Sequence, residues 1–169
     1  MMISVIGGER CPREALEAAE IVGRELAKRG VTLVCGGRGG VMEAACRGAR
    51  SADGHTIGIL PGRGPADGPP NSYVEFPIYT GMGFARNVMV VLSGEAVIAI
   101  SGAYGTLSEI AYALIHDTPV VGLDTWDFDY RGHEGDRIAR VSDPVQAAEL
   151  AIELAKNRRE TRRGSHAEQ

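Results

Sequence analysis

A glutamate and an arginine in the middle of the chain are the residues whose types and spacing best suit chemistry. Glu109 ends the stretch Gly105-Thr106-Leu107-Ser108-Glu109, which is predicted to enter a helix directly after a strand. A carboxylate on the first turn of a helix at a ligand crevice can stabilise an oxocarbenium-like ribosyl centre or orient water for attack on it. Arg86 begins another predicted helix near the same edge and would hold a phosphate or ribose oxygens. Arg86 and Glu109 are therefore the candidate catalytic residues if the protein is a hydrolase.

The same stretch has a structural alternative. Thr106 and Glu109 have the spacing of a capping box, in which the Thr106 side chain accepts from the Glu109 N–H and the carboxylate reaches back to the Thr106 N–H. The residues alone leave both roles of Glu109 open.

Glycines follow five predicted strands. They let backbone N–H groups approach an anion closely, and the helix N-terminus behind such a loop carries partial positive charge, so these loops suit phosphate. The candidate ligand- and phosphate-binding residues are Gly8, Gly36, Gly37, Arg38, Gly39, Gly40, Gly81, Gly83, Arg86, Ser101, Gly102, Gly105 and Thr106. The alternative is that the glycines only serve tight strand-to-helix turns. Their crowding on one edge of the sheet favours the ligand site.

Other cofactor chemistry has little support in the sequence. Met42 stands where a dinucleotide fingerprint needs its third glycine, and no Gly-Lys-Ser or Gly-Lys-Thr occurs, which argues against ordinary NAD or ATP use. The four histidines show no ligand spacing, so no metal site is predicted. Cys35 and Cys46 are predicted to be small core residues.

The elements that position these residues alternate along the chain. Short β-branched runs alternate with longer stretches of helical period, which is typical of βαβ units and a parallel sheet. Strands are predicted at residues 3–7, 32–35, 56–60, 74–79, 96–100 and 120–123, and helices at 12–28, 40–52, 84–92, 106–116 and from 143 to about 158. The predicted fold class is α/β, a Rossmann-like three-layer sandwich with a central, mostly parallel sheet and helices on both faces.

The length of 169 residues suits one domain. We predict a single Rossmann-like domain at residues 1–159 and a flexible polar tail at 160–169, which is polar and aperiodic. The glycine- and proline-rich segment 61–72 replaces an expected crossover helix and is either a lid over the site or a long loop.

Charge and hydropathy exclude some partners. The formal net charge is −4, so the chain lacks the basic field that binding to nucleic acid requires. No apolar run is long enough to span a membrane, and the first residues have no basic leader of the signal-peptide kind. We expect a cytoplasmic protein with no nucleic-acid or membrane partner.

Three stretches resemble a known family. They are Gly36-Gly37-Arg38-Gly39-Gly40-Val41-Met42-Glu43-Ala44-Ala45, Thr80-Gly81-Met82-Gly83-Phe84-Ala85-Arg86-Asn87 and Ser101-Gly102-Ala103-Tyr104-Gly105-Thr106-Leu107-Ser108-Glu109. Over roughly residues 3–123 the chain resembles the Lonely Guy (LOG)-like family of Rossmann-type proteins, often labelled possible lysine decarboxylases. It is most similar to the branch of molybdenum cofactor carrier proteins.

The resemblance implies two roles. Phosphoribohydrolases of this family release a base from a nucleoside 5′-monophosphate, using the arginine and glutamate that match Arg86 and Glu109. Their Pro-Gly-Gly-x-Gly-Thr-x-x-Glu and Met-His-x-Arg-Lys patterns differ from this chain at Ser101, Ala103, Gly83, Phe84 and Asn87. The carrier branch tolerates these departures, adds Asn87 to the ligand residues, and binds a phosphorylated pterin cofactor without chemistry.

The resemblance therefore favours a protein that binds a phosphorylated nucleotide-like or pterin-like small molecule, as a carrier of the molybdenum cofactor, with no other cofactor required. The alternative is a nucleoside 5′-monophosphate phosphoribohydrolase. Lysine decarboxylation is not expected, because a pyridoxal phosphate enzyme needs a lysine in its pocket. Lys28 and Lys156, the two lysines, are predicted at the opposite edge of the sheet from the glycine loops.

The predicted helix at residues 84–92 suggests an oligomer. It is apolar on nearly every face beyond Arg86, so either the core or another subunit must cover it. We expect a homodimer, which is usual in the resembling family.

Overall fold

The computed structural model describes residues 1–127 and 137–167. Its strands are β1 (Met2–Gly7), β2 (Thr32–Cys35), β3 (Thr56–Leu60), β4 (Phe76–Tyr79), β5 (Val97–Ile100), β6 (Val120–Leu123) and β7 (Ile138–Arg140). Its helices are α1 (Arg13–Lys28), α2 (Val41–Arg50), α3 (Asn87–Ser93), α4 (Tyr104–Ile115) and α5 (Pro144–Ala167). Two short 3₁₀ helices lie at Pro65–Asp67 and Gly83–Arg86.

The strands form one seven-stranded parallel sheet in the order β4-β3-β2-β1-β5-β6-β7. The chain moves outward from β1 to β4 on one side and from β5 to β7 on the other. The junction of β1 with β5 is therefore the topological switch point, where the loops of an open α/β sheet separate and leave a crevice for ligands.

Alternation along β1 shows that helices cover both faces of the sheet. Ile3 and Val5 pack into one cluster with residues of α1, α2 and α5, whereas Ile6 packs with residues of α3 and α4. Between them the Ser4 hydroxyl donates to the Val90 carbonyl of α3 at 2.6 Å. Successive strand residues point to opposite faces, so the period of two places each apolar side chain in its own layer. The predicted three-layer α/β fold is confirmed.

Several elements differ from the prediction. Helix α4 begins at Tyr104, two residues before the predicted start. The predicted helix at 84–92 begins as the 3₁₀ helix Gly83–Arg86, and α3 starts only at Asn87. Strand β7 was not predicted, because its three residues are too few to show a period and only Ile138 is buried. Its place is set by parallel pairing with β6.

Helix α5 starts where the sequence predicted. The Asp143 carboxylate accepts the Gln146 N–H at 2.8 Å, which is the hydrogen bond of an N-cap. The helix continues past the predicted end near residue 158 as far as Ala167, since arginine and glutamate have high helix propensity. Glu168 and Gln169 lie outside the described residues, and the flexibility of the tail stays a prediction. Within the described ranges, no helix has the length and hydropathy to cross a membrane.

Candidate functional site

The glycine loops that follow β1 (residues 7–10, the first loop) and β2 (residues 36–40, the second loop) lie in contact at the carboxyl ends of these strands. Val41, the first residue of α2, donates its N–H to the Gly8 carbonyl at 3.1 Å. Gly40 has a φ of 64°, and a Cβ there would overlap the Gly8 and Glu9 carbonyl oxygens. Only glycine therefore lets the two loops meet in this conformation.

Arg86 crosses from the 3₁₀ helix before α3 to the second loop. Its Nη2 donates to the Gly36 carbonyl at 3.3 Å, and a Cβ at Gly36 would lie 2.7 Å from that nitrogen. Its Nη1 donates to the Asn87 side-chain oxygen. Arg86 is 8% exposed, and its Nε is buried without a hydrogen-bond partner in the described part of the chain. Burial lowers the pKa of Arg86, while the Glu109 carboxylate opposes that change.

Glu109 lies opposite this guanidinium on α4. Its Oε1 is 3.9 Å from Arg86 Nη1, and the residue is 7% exposed. Loss of solvation on burial raises the pKa of Glu109 to about 7, although the Arg86 charge works against the rise. The site thus holds a carboxylate that titrates near neutral pH beside a fixed cation, which is the kind of perturbed group found at functional sites.

Glu109 does not cap its helix. The N-cap residue of α4 is Ala103, without a side-chain capping bond, and the first helical hydrogen bond runs from the Leu107 N–H to the Ala103 carbonyl at 3.0 Å. Thr106 is consequently the third residue of the helix, so the capping box, one of the two roles that the sequence left open for Glu109, is wrong. The carboxylate remains available for another role.

Asn87 links Arg86 to helix α4. Its side-chain nitrogen donates to Ser108 Oγ at 2.9 Å and to the Gly105 carbonyl at 3.4 Å, and Ser108 Oγ donates to the same carbonyl at 2.7 Å. Asn87 is 2% exposed, so its polar atoms serve these internal partners. Ser108 was not among the predicted site residues; its place beside Glu109 gave no signal that it would bind Asn87 from another element.

The start of α4 is open toward the crevice. The N–H groups of Tyr104, Gly105 and Thr106 have no partner within the helix, as in the first turn of any α-helix. A Cβ at Gly105 would meet nothing within 4 Å, and the same holds at Gly83. A ligand atom can therefore come close to the backbone at both positions.

Other predicted residues contact the segment 61–72 instead. The Asn71 side chain donates to the Arg38 carbonyl at 2.9 Å, and the Asn71 N–H donates to the Gly37 carbonyl at 2.9 Å. The Arg38 guanidinium lies against Gly68 and pairs with Glu9 at 3.4 Å. The segment is thus seated on the second glycine loop. The hydrogen bond of the Gly81 N–H runs to Gly62, on the β4 side of the sheet.

A cavity of about 630 Å³ adjoins the glycine loop that follows β5 (residues 101–106, the fifth glycine loop). It lies between the first turns of α1 and the carboxyl ends of β5 and β6, and Ser101 forms part of its wall. We call it the β5–β6 cavity.

The remaining chemical candidates are two cysteines, two lysines and the histidines. Cys35 and Cys46 are fully buried core residues, as the sequence predicted. Their sulfurs lie 3.5 Å apart, and Cys35 Sγ accepts the Gly37 N–H at 3.3 Å. Lys28 pairs with Glu25 at the end of α1, and Lys156 lies beside Met1 and Val31 at the amino edge of the sheet. Across the described ranges, no group of three potential metal ligands occurs. His133 lies outside those ranges.

Comparison with known proteins gives a family match and several relatives. The profile of the SLOG cluster4 family matches residues 1–157. An uncharacterized protein of Archaeoglobus fulgidus is 43% identical over 73% of this chain and 80% of its own length. The cytokinin riboside 5′-monophosphate phosphoribohydrolase of Mycobacterium tuberculosis is 34% identical over 67% of this chain. That match spans 64% of the mycobacterial protein, less than two thirds of its length.

Solved structures with the same fold include two linked to the molybdenum cofactor. The molybdenum cofactor binding protein of Rippkaea orientalis is 36% identical, with a TM-score of 0.71 over 93% of this chain and 85% of its own. The molybdenum cofactor carrier protein of Chlamydomonas reinhardtii is 32% identical, with a TM-score of 0.77 over 92% of this chain and 97% of its own.

Proposed function

The chain belongs to the SLOG cluster4 family, and on that premise we propose that it binds a phosphorylated small molecule with a nucleotide-like or pterin-like ring, as a cofactor carrier. The observation that carries the proposal is the buried Arg86 guanidinium beside the open first turn of α4. A fixed cation and free N–H groups at a helix start are complementary to a phosphate.

The inward orientation of Asn87 favours a carrier over an enzyme. Asn87 stands where the phosphoribohydrolase pattern has a lysine, and its side chain is engaged with Ser108 and Gly105. A lysine there would have added a charge for nucleotide binding. The relatives that bind or carry the molybdenum cofactor support the same role for this chain.

Equilibrium binding of ribose 5-phosphate tests the proposal. The wild-type protein should bind this probe, and Arg86→Lys should weaken binding because a lysine cannot reproduce the planar guanidinium. Arg13→Lys, on an arginine exposed at the start of α1, is the matched control and should bind like wild type. If ribose 5-phosphate does not bind, or binds both variants equally, the proposed phosphate site is wrong.

A second function, nucleoside 5′-monophosphate phosphoribohydrolase, is favoured by Glu109. Its carboxylate is buried, free of capping and titrates near pH 7. When ionised it would stabilise positive charge at the ribose anomeric carbon while the bond to the base breaks. Water then adds to that carbon, and its proton goes by way of the carboxylate to the departing base.

Base release from a panel of nucleoside 5′-monophosphates distinguishes the two functions. A hydrolase releases free base, and Glu109→Gln, which keeps shape but not charge, abolishes the release. A folded wild-type protein that binds the nucleotides and releases no base is a carrier.

We also propose a homodimer formed through the α3–α4 layer. Val90 and Val91 of α3 are buried in the core, but Leu92 is 49% exposed and Ile115 at the end of α4 is 70% exposed. Near the site, Phe84 is 84% exposed. Exposed apolar side chains clustered on one layer mark an interaction surface. Since Phe84 lies two residues before Arg86, a second copy seated there would border the ligand crevice.

A further inference from the structure

The β5–β6 cavity adjoins the loop that opens the α4 N-terminus. Its floor is apolar and includes Ala18, Ile100 and Leu123. A volume of about 630 Å³ lies within the range of small-molecule pockets and accommodates a bicyclic ring. Ser101 in its wall directly precedes Gly102, two residues before the start of α4, so the cavity borders the loop that leads into this helix.

Two residues at the cavity have unusual backbone conformations. Ser101 has a φ of 50° and Asp124 a φ of 44°, although neither is a glycine. Side chains disfavour this left-handed region, so such residues persist only where the surroundings hold them. Here the Thr125 hydroxyl donates to the Ser101 carbonyl at 2.7 Å, and the Ser101 N–H donates to the Leu123 carbonyl at 3.0 Å.

A further bond joins the same two loops. The Trp126 indole N–H donates to the Ala103 carbonyl at 3.3 Å, and its ring stacks on Tyr104 with centroids 6.0 Å apart. These bonds hold the backbone around Asp124 against the glycine loop that follows β5, and the exposed Asp124 side chain lines the cavity. The carboxylate thus lies near the proposed phosphate site.

The acidic character of the cavity indicates what it binds. Glu14 and Asp124 line it, its described lining contains no basic side chain, and neither carboxylate has an ion pair within the described residues. A carboxylate next to a phosphate site repels the anion, so its useful partner is a part of the ligand that donates hydrogen bonds. The two oxygens of one carboxylate match two adjacent N–H donors.

We propose that the β5–β6 cavity selects a ring with a 2-amino-4-oxopyrimidine edge, the edge shared by guanine and pterins, through bidentate acceptance by Asp124. The proposal rests on the proposed phosphate site, which would hold the other end of the same molecule. This edge presents a ring N–H next to an amino group, whereas hypoxanthine lacks the amino group and adenine lacks both donors in this arrangement.

Titration of the fluorescence of Trp126, the single tryptophan, with GMP, IMP and AMP tests the proposal. GMP and IMP differ only in the 2-amino group, so GMP should bind about tenfold more tightly or better, as expected for a hydrogen bond to a charged group. Asp124→Asn should remove this preference, and it should weaken the binding of IMP less than that of GMP because IMP keeps only the ring N–H. Asp127→Asn, on a carboxylate 87% exposed and paired with Arg140, is the control and should keep it.

Cavity filling provides an independent variant. Ala18→Phe should abolish the difference between GMP and IMP while binding of ribose 5-phosphate persists, with folding checked by circular dichroism. Equal affinities of wild type for GMP and IMP, or an Asp124→Asn protein that still prefers GMP, overturn the proposal. The proposal is also overturned if Asp124→Asn weakens the binding of all three nucleotides equally and does so only in the presence of Mg²⁺. The Asp124 carboxylate would then hold a cation.

The outcomes separate this inference from the proposed function. Binding of ribose 5-phosphate without preference among the nucleotides refutes the ring selection alone. Failure of ribose 5-phosphate and of all three nucleotides to bind refutes the phosphate site and, with it, the inference.

Discussion

The guanidinium of Arg86 and the carboxylate of Glu109 face each other with 3.9 Å between Nη1 and Oε1, and both residues are less than a tenth exposed. This separation exceeds a hydrogen bond, so the pair gains less than a close ion pair while both groups lose their hydration. The cost of burying the Glu109 charge exceeds the attraction of Arg86, which is why the pKa of the carboxyl is raised to about 7. Such a loosely paired arginine and glutamate leave room for the charge of a bound ligand, such as the phosphate proposed above.

Stability should fall with pH because of Glu109. Its folded-state pKa of about 7 lies above the ordinary value of 4.5, so the folded protein holds a proton that the unfolded chain has lost. The stabilisation is full below about pH 4.5 and is lost as pH rises through about 7. It amounts to about 3 kcal/mol, from ~1.4 kcal/mol for each pKa unit. Urea unfolding of wild type from pH 4.5 to 8 should show this decline.

Glu109→Gln is the comparison for that experiment, since glutamine does not titrate. The difference in unfolding free energy between wild type and variant should change with pH by the amount attributed to Glu109 and level off above about pH 8. Parallel curves for the two proteins would contradict the raised pKa.

Phosphate affinity should depend on the shape of the Arg86 side chain. We expect Arg86→Lys to weaken ribose 5-phosphate binding about tenfold to a hundredfold, because a charged, geometrically matched hydrogen bond contributes about 1.5–3 kcal/mol. Isothermal titration calorimetry measures the change. Arg13→Lys should leave it within experimental error, and an unchanged affinity in Arg86→Lys would mean that the charge at this position matters and the shape of the side chain does not.

Gly40 should not tolerate alanine. Its φ of 64° and the overlap of a Cβ with the Gly8 carbonyl predict a loss of about 1–3 kcal/mol in the free energy of unfolding, together with weaker phosphate binding. Gly64→Ala is the matched control, because Gly64 has extended backbone and a Cβ there meets nothing within 4 Å. Thermal or urea unfolding should separate the two variants; equal stabilities would show that the loops can shift apart.

The apolar α3–α4 layer should hold two copies together. Wild type should have the mass of a dimer by light scattering at micromolar concentration, and Leu92→Glu with Ile115→Glu should give a folded monomer, since charge at an apolar contact is costly. Arg13→Glu on α1 changes charge on a different layer and should remain dimeric. A monomeric wild type would refute the proposed interface.

The amino-acid sequence by itself determined the layer architecture and the edge where the site lies. Parallel strands place all their carboxyl ends together, so five glycine loops following five strands had to meet at one edge whatever the details of packing. The alternation of buried apolar residues along β1 and the N-cap at Asp143 could also be predicted, because both depend only on neighbours along the chain.

Only the tertiary structure decided which residues of that edge work together. Arg86 reaches Gly36 across 50 positions, and α4 begins at Tyr104 where the Ala103 carbonyl is also held by the Trp126 indole from the loop after β6. A local Thr-x-x-Glu pattern carries no information on such a contact, so it left open a capping role that the folded chain does not use. The chemistry of the site is set by burial and by partners distant in sequence, and these exist only once the layers have packed.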